Sequence, residues 1–335
     1  VIIEDQVDLT PFNTFGLSAI AERLVRIRTQ EDLLAYFQDF KTPSLVLGGG
    51  SNLLLTKDIS GDVLRLEIPG IDIIDDSEDS VLLEVGAGVV WHEFVLHCIA
   101  QGWGGVENLS LIPGSVGAAP MQNIGAYGVD LSSVFDSLTA YLIADEVFED
   151  FNNEACRFGY RESIFKKELR DKAVISSVRF RLQKHPTLNT SYGAIEAQLD
   201  SMGFADLSIK AISDAVIAIR RSKLPDPEEI GNSGSFFKNP VIDQLEFERL
   251  QREFPGIVGY PAGSRLVKVA AGWLIEKAGY KGKSFGNYGV HANQALVLVN
   301  HGGAKGSDVF NLSEEIIHTI DELFEIRLER EVNVI

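Results

Sequence analysis

The segment GVENLSLIPGSVGAAPMQNIGAYGVD (105–130) constrains this chain more than any other stretch: it is rich in glycine and other small residues, and Glu107 and Asp130 are its only charged side chains. A loop running over the surface is ordinarily more polar, because its backbone and side chains face water. Small residues at this density let backbone lie close against another surface, and Gln122 and Asn123 add amide groups able to bond the edges of a heterocycle. Two readings follow: a bed for a large flat ligand, or a glycine-rich packing loop.

The chain's bulk properties narrow the ligand. Its 335 residues, 45% hydrophobic and 23% charged, suit a soluble globular protein of two or three domains. No apolar run approaches the ~18 residues of a membrane span. Thirty Lys and Arg against 48 Asp and Glu give a net charge of −18, which opposes nonspecific attraction to nucleic acid or an anionic membrane. An anionic ligand therefore needs a local basic pocket, for which Arg161, the Arg220-Arg221 pair, Lys223 and Lys281 are the natural candidates, although each is a solvated charge by default. With two cysteines, Cys98 and Cys156, and an N-terminal VIIEDQVDLTPF unlike a secretory signal, a reducing cytoplasm is the expected setting. A monomer is expected.

Periodicity supplies the elements. EDLLAYFQDF (31–40) sets Leu33, Leu34, Phe37 and Phe40 at helical spacing, and SLVLGGGSNLLL (44–55) reads as a strand entering a glycine turn. VLLEVGAG, SLTAYLIA and VISSVRFRL read as strands and WHEFVLHCIAQG as a helix. In AISDAVIAIRRSKLPDP (211–227) Ile212, Val216 and Ile219 share a helix face, and Pro225 and Pro227 close it, marking a domain boundary. VKVAAGWLIEKAG predicts a helix ending at Gly279, ALVLV a buried strand, and the run from Ser307 a long helix with Val309, Leu312, Ile316, Ile320 and Leu323 as its core stripe. The tail EREVNVI alternates like a strand that could return to an earlier domain.

Generic motifs fail one by one. In GGGSNL (48–53) Leu53 stands where the dinucleotide fingerprint needs its third glycine, and no Walker lysine follows. The three glycines fit equally a close backbone approach to a phosphate and a tight strand-exit turn. His92 and His97 are one residue too far apart for H-E-x-x-H and diverge by about 140° on a helix, so two partly exposed helix histidines, and no metal, are expected. No G-x-S-x-G surrounds Ser51, Ser115 or Ser235.

Taken together, NTFGL (13–17), LVLGGGSNLLL (45–55), VGAGVVWHEF (85–94), the 105–130 segment, CRFGYRESIFK (156–166), SKLPDP (222–227), GNSGSFFKNP (231–240), AAGWLIEKAGYKG (270–282) and VHANQALVLVN (290–300) resemble, in order and spacing, the UDP-N-acetylenolpyruvoylglucosamine reductase family. The resemblance implies an α+β protein: a two-domain FAD-binding module of the vanillyl-alcohol-oxidase type plus a C-terminal α+β substrate domain. Its parts would be 1–70, completed by 325–335, then 71–222, with 223–324 covering the substrate. FAD would lie along Gly48, Gly49, Gly50, Ser51 and Asn52, with further contacts from Pro113, Gly114, Ser115, Gly117, Gln122, Asn123, Gly125 and Ala126.

The same resemblance implies that NADPH reduces FAD and that the substrate, UDP-N-acetyl-3-O-(1-carboxyvinyl)-glucosamine, then takes hydride from flavin N5. Ser235 would donate the proton, and Arg161 and Glu331 would stabilise the enolate-like intermediate. Tyr192 resembles the tyrosine that one subclass sets over the substrate diphosphate; Tyr127, Arg220, Lys223, Asn239, Lys281 and Gln294 fall at substrate positions, and Tyr260 is either part of a substrate lid or a surface aromatic. Where the family commonly ends L-E-P-E-V, this chain reads Leu328-Glu329-Arg330-Glu331-Val332, so Glu329 stays open beside Glu331, and strand alternation puts both on one face. Another FAD-dependent oxidase or dehydrogenase, a non-catalytic nucleotide-sugar binder and an interaction protein are the alternatives; GSFFKNP and GYKG count against the first, the retained Arg161, Ser235 and Glu331 against the second, and the uncharged glycine segment against the third.

Overall fold

The computed structural model describes residues 1–39, 42–204 and 206–335. They pack as two compact units. The first comprises Val1–Val7, Ala21–Gly49 and Ile59–Ser222; the second comprises Asp8–Ile20, Gly50–Asp58 and Lys223–Ile335.

Two large sheets form the first unit among the described residues. Ile20–Ile27 and Leu45–Leu47 lie parallel on either side of Ile59–Leu66, with Ile2–Asp8 at the edge. Parallel neighbours require crossovers, and the Gln30–Asp39 helix supplies one, burying Leu33, Tyr36 and Phe37, with Phe37 stacked on Tyr141 at 4.7 Å. Leu34 is 38% exposed, because one residue on a helix turns a side chain about 100° from its neighbour. Phe40, assigned to the same face by its spacing, lies outside the described residues. The second sheet is five-stranded and antiparallel, in the order Val147–Asn152, Phe135–Leu142, Ala173–Gln183, Ser80–Gly86, Ile71–Asp76. Against it the Trp91–Gln101 helix buries Trp91, Phe94, Val95 and Cys98, and Gly102, with φ +79°, closes the helix in the left-handed conformation that glycine adopts without strain. The Ile209–Lys223 helix buries Ile212, Val216 and Ile219 on one face, as its spacing predicts.

In the second unit Val297–Asn300 is the middle strand between Gly231–Ser235 and Tyr288–Val290, and Leu266–Val269 is the middle strand between Val241–Asp243 and Gly259–Pro261. The helix expected over VKVAAGWLIEKAG is therefore half strand: Val267 and Val269 alternate with Lys268 in the sheet, as β-branched residues favour, and helix covers only Ala271–Lys277. The Gly306–Phe324 helix buries Val309, Leu312, Ile316 and Ile320, but Leu323 is 49% exposed and Phe324 takes the buried place at the end of the stripe. The tail does return as a strand: Asn333–Val334 pairs in parallel with Leu53–Leu54.

Both cysteines are free and buried, and burial pushes the Cys156 thiol up to about 12. Among the described residues no helix is long and apolar enough to cross a membrane, and no group of three or more His, Cys, Asp or Glu could hold a metal.

Candidate active site

The glycines of GGGSNL are required by close packing. A Cβ at Gly49 would stand 2.6 Å from Gly114 Cα and 3.1 Å from Ser115 N, and a Cβ at Gly48 would stand 2.5 Å from Ser115 Oγ. Gly50 has φ +64° and a Cβ there would strike the Phe12 carbonyl. In the first unit the Leu45–Leu47 strand exit and the 114–115 turn thus lie backbone to backbone. Gly117 is pressed in the same way on Ala87, where a Cβ would come within 2.5 Å. Arg65 donates from Nη1 to the Gly48 carbonyl, and its burial pushes the guanidinium below its usual range. Sequence reasoning missed Arg65; the signal was a cation inside the otherwise apolar stretch VLRL.

The 105–130 segment then threads the rest of the first unit. Asn123, Tyr127 and Leu111 all hold positive φ, +44°, +51° and +59°, as does Arg161 at +57°. Bulky residues enter that region only under constraint, and such strain gathers at functional sites. The constraints are visible. Arg161 donates from Nη2 to the Gly125 carbonyl at 2.6 Å, and Asn123 Nδ2 donates to the Gly159 carbonyl at 3.2 Å. Buried Asn108 donates to the carbonyls of Tyr127 and Asn189 at 3.1 and 3.0 Å. The Leu111 peptide is gripped from both sides: its N–H donates to His92 Nδ1 at 3.0 Å, and its carbonyl accepts from Arg220 Nε at 3.2 Å.

Arg220 also hydrogen-bonds the Tyr127 side chain, and burial, with Arg161 nearby, lowers its pKa. Tyr192, 47% exposed, meets Tyr127 edge to face at 5.4 Å. The first unit therefore brings Tyr127, Tyr192, Arg161 and Arg220 into one aromatic and cationic cluster in an acidic chain. His92 belongs to its support: burial, then Arg220 and Arg221, lower its pKa, which keeps the ring neutral and Nδ1 an acceptor. Reading His92 as a bystander of the helix surface was incomplete, because its partner lies in a distant loop. Gln122 accepts from Lys166 Nζ at 3.4 Å, and Gly125-Ala126 pairs with Val129-Asp130.

In the second unit Ser235 ends the Gly231–Ser235 strand, opposite Val297. A bulge precedes it, with Gly234 at φ +68° and its N–H donating to Asn232 Oδ1 at 2.9 Å, which turns the backbone without side-chain bulk. Phe236 and Phe237 are 0% and 1% exposed, packed edge to face at 5.2 Å, and anchor the residue after the hydroxyl. The tail adds to this strand: Glu331 N–H donates to the Phe236 carbonyl at 2.8 Å and Lys238 N–H to the Glu329 carbonyl at 2.9 Å. Glu329 is exposed and paired with Lys238 at 3.1 Å, whereas Glu331 is partly buried and its carbonyl accepts from Asn52 Nδ2 at 3.2 Å.

The remaining second-unit candidates have mixed surroundings. Asn239 Oδ1 accepts the Ala271 N–H at 2.9 Å at the start of the Ala271–Lys277 helix, Gln294 Oε1 accepts the Leu296 N–H at 3.3 Å, and Lys281 pairs with Glu276 at 3.0 Å. Tyr260 is 49% exposed at the edge of its sheet, and Lys223 is exposed.

Comparison with known proteins gives the family. Residues 226–335 match the family model of the UDP-N-acetylenolpyruvoylglucosamine reductase C-terminal domain, and residues 21–147 match that of an FAD binding domain. The UDP-N-acetylenolpyruvoylglucosamine reductase of Flavobacterium johnsoniae is 48% identical over 335 residues, covering 99% of this chain and 99% of its own length. The chain belongs to the UDP-N-acetylenolpyruvoylglucosamine reductase family. As a member it is an FAD-dependent oxidoreductase of α+β fold, with an FAD-binding module followed by the reductase C-terminal domain. The reductase of the same name from Pseudomonas aeruginosa is 49% identical, covering 99% of this chain and 98% of its own. A crystal structure of the reductase from Thermus caldophilus shares the fold at TM-score 0.70 and 24% identity, covering 99% and 98% of the two chains.

FAD fits the residues of this family member. Ser115 Oγ, at the Gly48-Gly49 turn, is buried with no hydrogen-bond partner among the described residues, a position that suits a phosphate oxygen.

Proposed function

We propose that the chain reduces UDP-N-acetyl-3-O-(1-carboxyvinyl)-glucosamine to UDP-N-acetylmuramate for peptidoglycan synthesis, with NADPH as electron donor, in the cytoplasm. Family membership supports the substrate class and the flavin. Gly48, Gly49, Gly114 and Ser115 would hold its pyrophosphate and the 117–126 stretch its ring. Bound there, FAD would supply hydride chemistry at N5, between NADPH and the vinyl CH₂ of the substrate.

Side chains do the rest. Addition at the CH₂ leaves negative charge spread over the α-carbon and the carboxylate, so the reaction needs a cation, an acid and a proton. Arg161 opposes the carboxylate charge, with its orientation fixed by the Gly125 carbonyl. Ser235 gives its Oγ proton to the α-carbon, and Glu331 stabilises the enolate. A hydroxyl is a weak acid, and it serves here because its target is a strongly basic carbon and its backbone is anchored by Phe236 and Phe237. Tyr127, Tyr192 and Arg220 take the nucleotide diphosphate, joined by Lys223, Asn239, Tyr260, Lys281 and Gln294.

The observation that most supports this reading is the 2.8 Å bond from Glu331 N–H to the carbonyl of Phe236, the residue after Ser235, whereas Glu329 is exposed and paired with Lys238. General-acid catalysis is worth ~10²–10⁴-fold, and one preorganised donor about 2.7–4 kcal/mol. Anaerobic rapid mixing tests it: Ser235→Ala is expected to keep flavin reduction by NADPH and to slow reoxidation by the nucleotide sugar at least ~100-fold. Unimpaired reoxidation would remove Ser235 from the chemistry.

A further inference from the structure

Arg330 lies between the two tail glutamates, and its side chain turns away from both. It is 20% exposed. Nε donates to Ser313 Oγ at 2.8 Å, Nη2 donates to Glu314, and the guanidinium lies 4.7 Å from the Phe310 ring centroid. Phe310, Ser313 and Glu314 stand at i, i+3 and i+4 on the Gly306–Phe324 helix, so they form a single face. Ser313 is fully buried and its hydroxyl proton is already committed to the Phe310 carbonyl at 2.6 Å, which leaves its lone pairs for Arg330. The half-exposed ion pair with Glu314 alone would hold little. The buried hydroxyl bond and the ring contact add direction to it.

The backbone of the same residue forms the antiparallel pair Phe237–Arg330, whose flanking bonds are Lys238 N–H to Glu329 and Glu331 N–H to Phe236. A slip of one residue along this short ladder would turn Glu329 and Glu331, which share a face, to the other side of the tail together. The Asn52 bond to the Glu331 carbonyl and the Asn333–Val334 pairing hold the tail beyond this point, and the Arg330 side chain adds a restraint at the residue just before Glu331.

We propose that Arg330 is a positioning residue: by tying residue 330 to the Gly306–Phe324 helix it holds the face on which the tail presents Glu331 next to the strand that carries Ser235. The proposal rests on the role of Glu331 given above. Arg330 touches no reacting atom in this scheme, so its removal should act on the substrate half-reaction and leave flavin reduction alone.

The test compares Arg330→Met, which keeps an apolar stem for Phe310 and deletes both hydrogen bonds, with Ser313→Ala and Glu331→Gln, all as FAD holoenzymes. In Arg330→Met, reoxidation by the nucleotide sugar is expected to slow about tenfold, flavin reduction by NADPH to stay within about twofold, and amide exchange in residues 327–335 to quicken at least about tenfold. Ser313→Ala is expected to move the same two readouts in the same direction by less. Reoxidation in Arg330→Met at the parental rate while Glu331→Gln is slow overturns the positioning role alone. Equal loss in both half-reactions overturns it too, since that is the signature of a general structural defect. Parental reoxidation in Glu331→Gln overturns the assignment of Glu331 and the proposal with it.

Discussion

Alanine at Gly49 should injure the proposed flavin cradle in a way no neighbouring side-chain truncation can repair. Its Cβ would lie 2.6 Å from Gly114 Cα, 2.9 Å from Gly114 C and 3.1 Å from Ser115 N, all backbone atoms, and ordinary contact begins at 3.4 Å. The 114–115 turn would have to withdraw by about 0.8 Å, a displacement of the overpacking kind that costs about 1–3 kcal/mol. Gly48 offers the contrast. There the closest atom is Ser115 Oγ at 2.5 Å, while Ala118 Cβ at 3.4 Å and Ser115 Cβ at 3.8 Å are ordinary neighbours. Ser115→Ala should therefore relieve Gly48→Ala and leave Gly49→Ala unrelieved, giving a coupling of about 0.5–3 kcal/mol in the first double-mutant cycle and near zero in the second. Urea unfolding at a fixed excess of FAD measures both, read as shifts of midpoint at constant slope. Gly49→Ala unfolding at the parental midpoint, or rescued by Ser115→Ala as fully as Gly48→Ala, would refute the backbone-to-backbone account.

Three further outcomes follow from the geometry. Glu329→Gln should leave reoxidation within about twofold and cost at most about 1 kcal/mol, because its partner pair with Lys238 is exposed on the carboxylate side, whereas Glu331→Gln should slow reoxidation at least about tenfold; the reverse ranking in stopped-flow traces would transfer the role to Glu329. His92 has a folded-state pKa below its ordinary 6.5, so the unfolded chain takes up this proton first: its contribution is fully present above about 6.5 and is lost as pH falls through the folded-state value. His92→Asn, which keeps an acceptor near Nδ1 for Leu111, should flatten the fall in urea midpoint between pH 7.5 and 5.5 (values chosen to bracket ~6.5), and an unchanged fall would exclude His92 as its source. Part of the fall should persist in that variant, since burial and His301 lower the His291 pKa as well. Tyr192→Ala removes the edge-to-face partner of Tyr127, an interaction worth about 0.5–1.5 kcal/mol, and should raise KM for the nucleotide sugar with little change in flavin reduction by NADPH; a slowed reduction step would contradict a role confined to substrate.

Local pattern made much of the fold legible. The helices over Trp91–Gln101, Ile209–Lys223 and Gly306–Phe324 show in their apolar spacing because each buries one stripe of its own sequence. The failures are local patterns overridden by neighbours. Val267 and Val269 fit a helix period and a strand period alike, and the choice was made by the strands on both sides, Val241–Asp243 and Gly259–Pro261. Leu323 and Phe324 compete for the last buried place of one helix, and the larger ring fills it beside Phe254 and Trp273.

The site divides along the same line. The residues proposed to bear its chemistry stand out through their motifs, since glycine turns, GSFFKNP and the tail glutamates are each contiguous. What orients them is not contiguous: His92 reaches Leu111, Asn108 reaches Asn189, Asn52 reaches Glu331, and Arg330 reaches Ser313. No short-range spacing encodes these pairs, because each joins two stretches whose approach is decided by the packing of other elements. Arg330 illustrates the consequence. Read along the chain it interrupts a familiar tail; read in space it ties the residue between the two glutamates to a helix with the buried stripe Val309, Leu312, Ile316 and Ile320. A substitution that weakens a sequence match can thus strengthen the geometry the match stands for, and the Arg330→Met and Glu331→Gln pair separates the two.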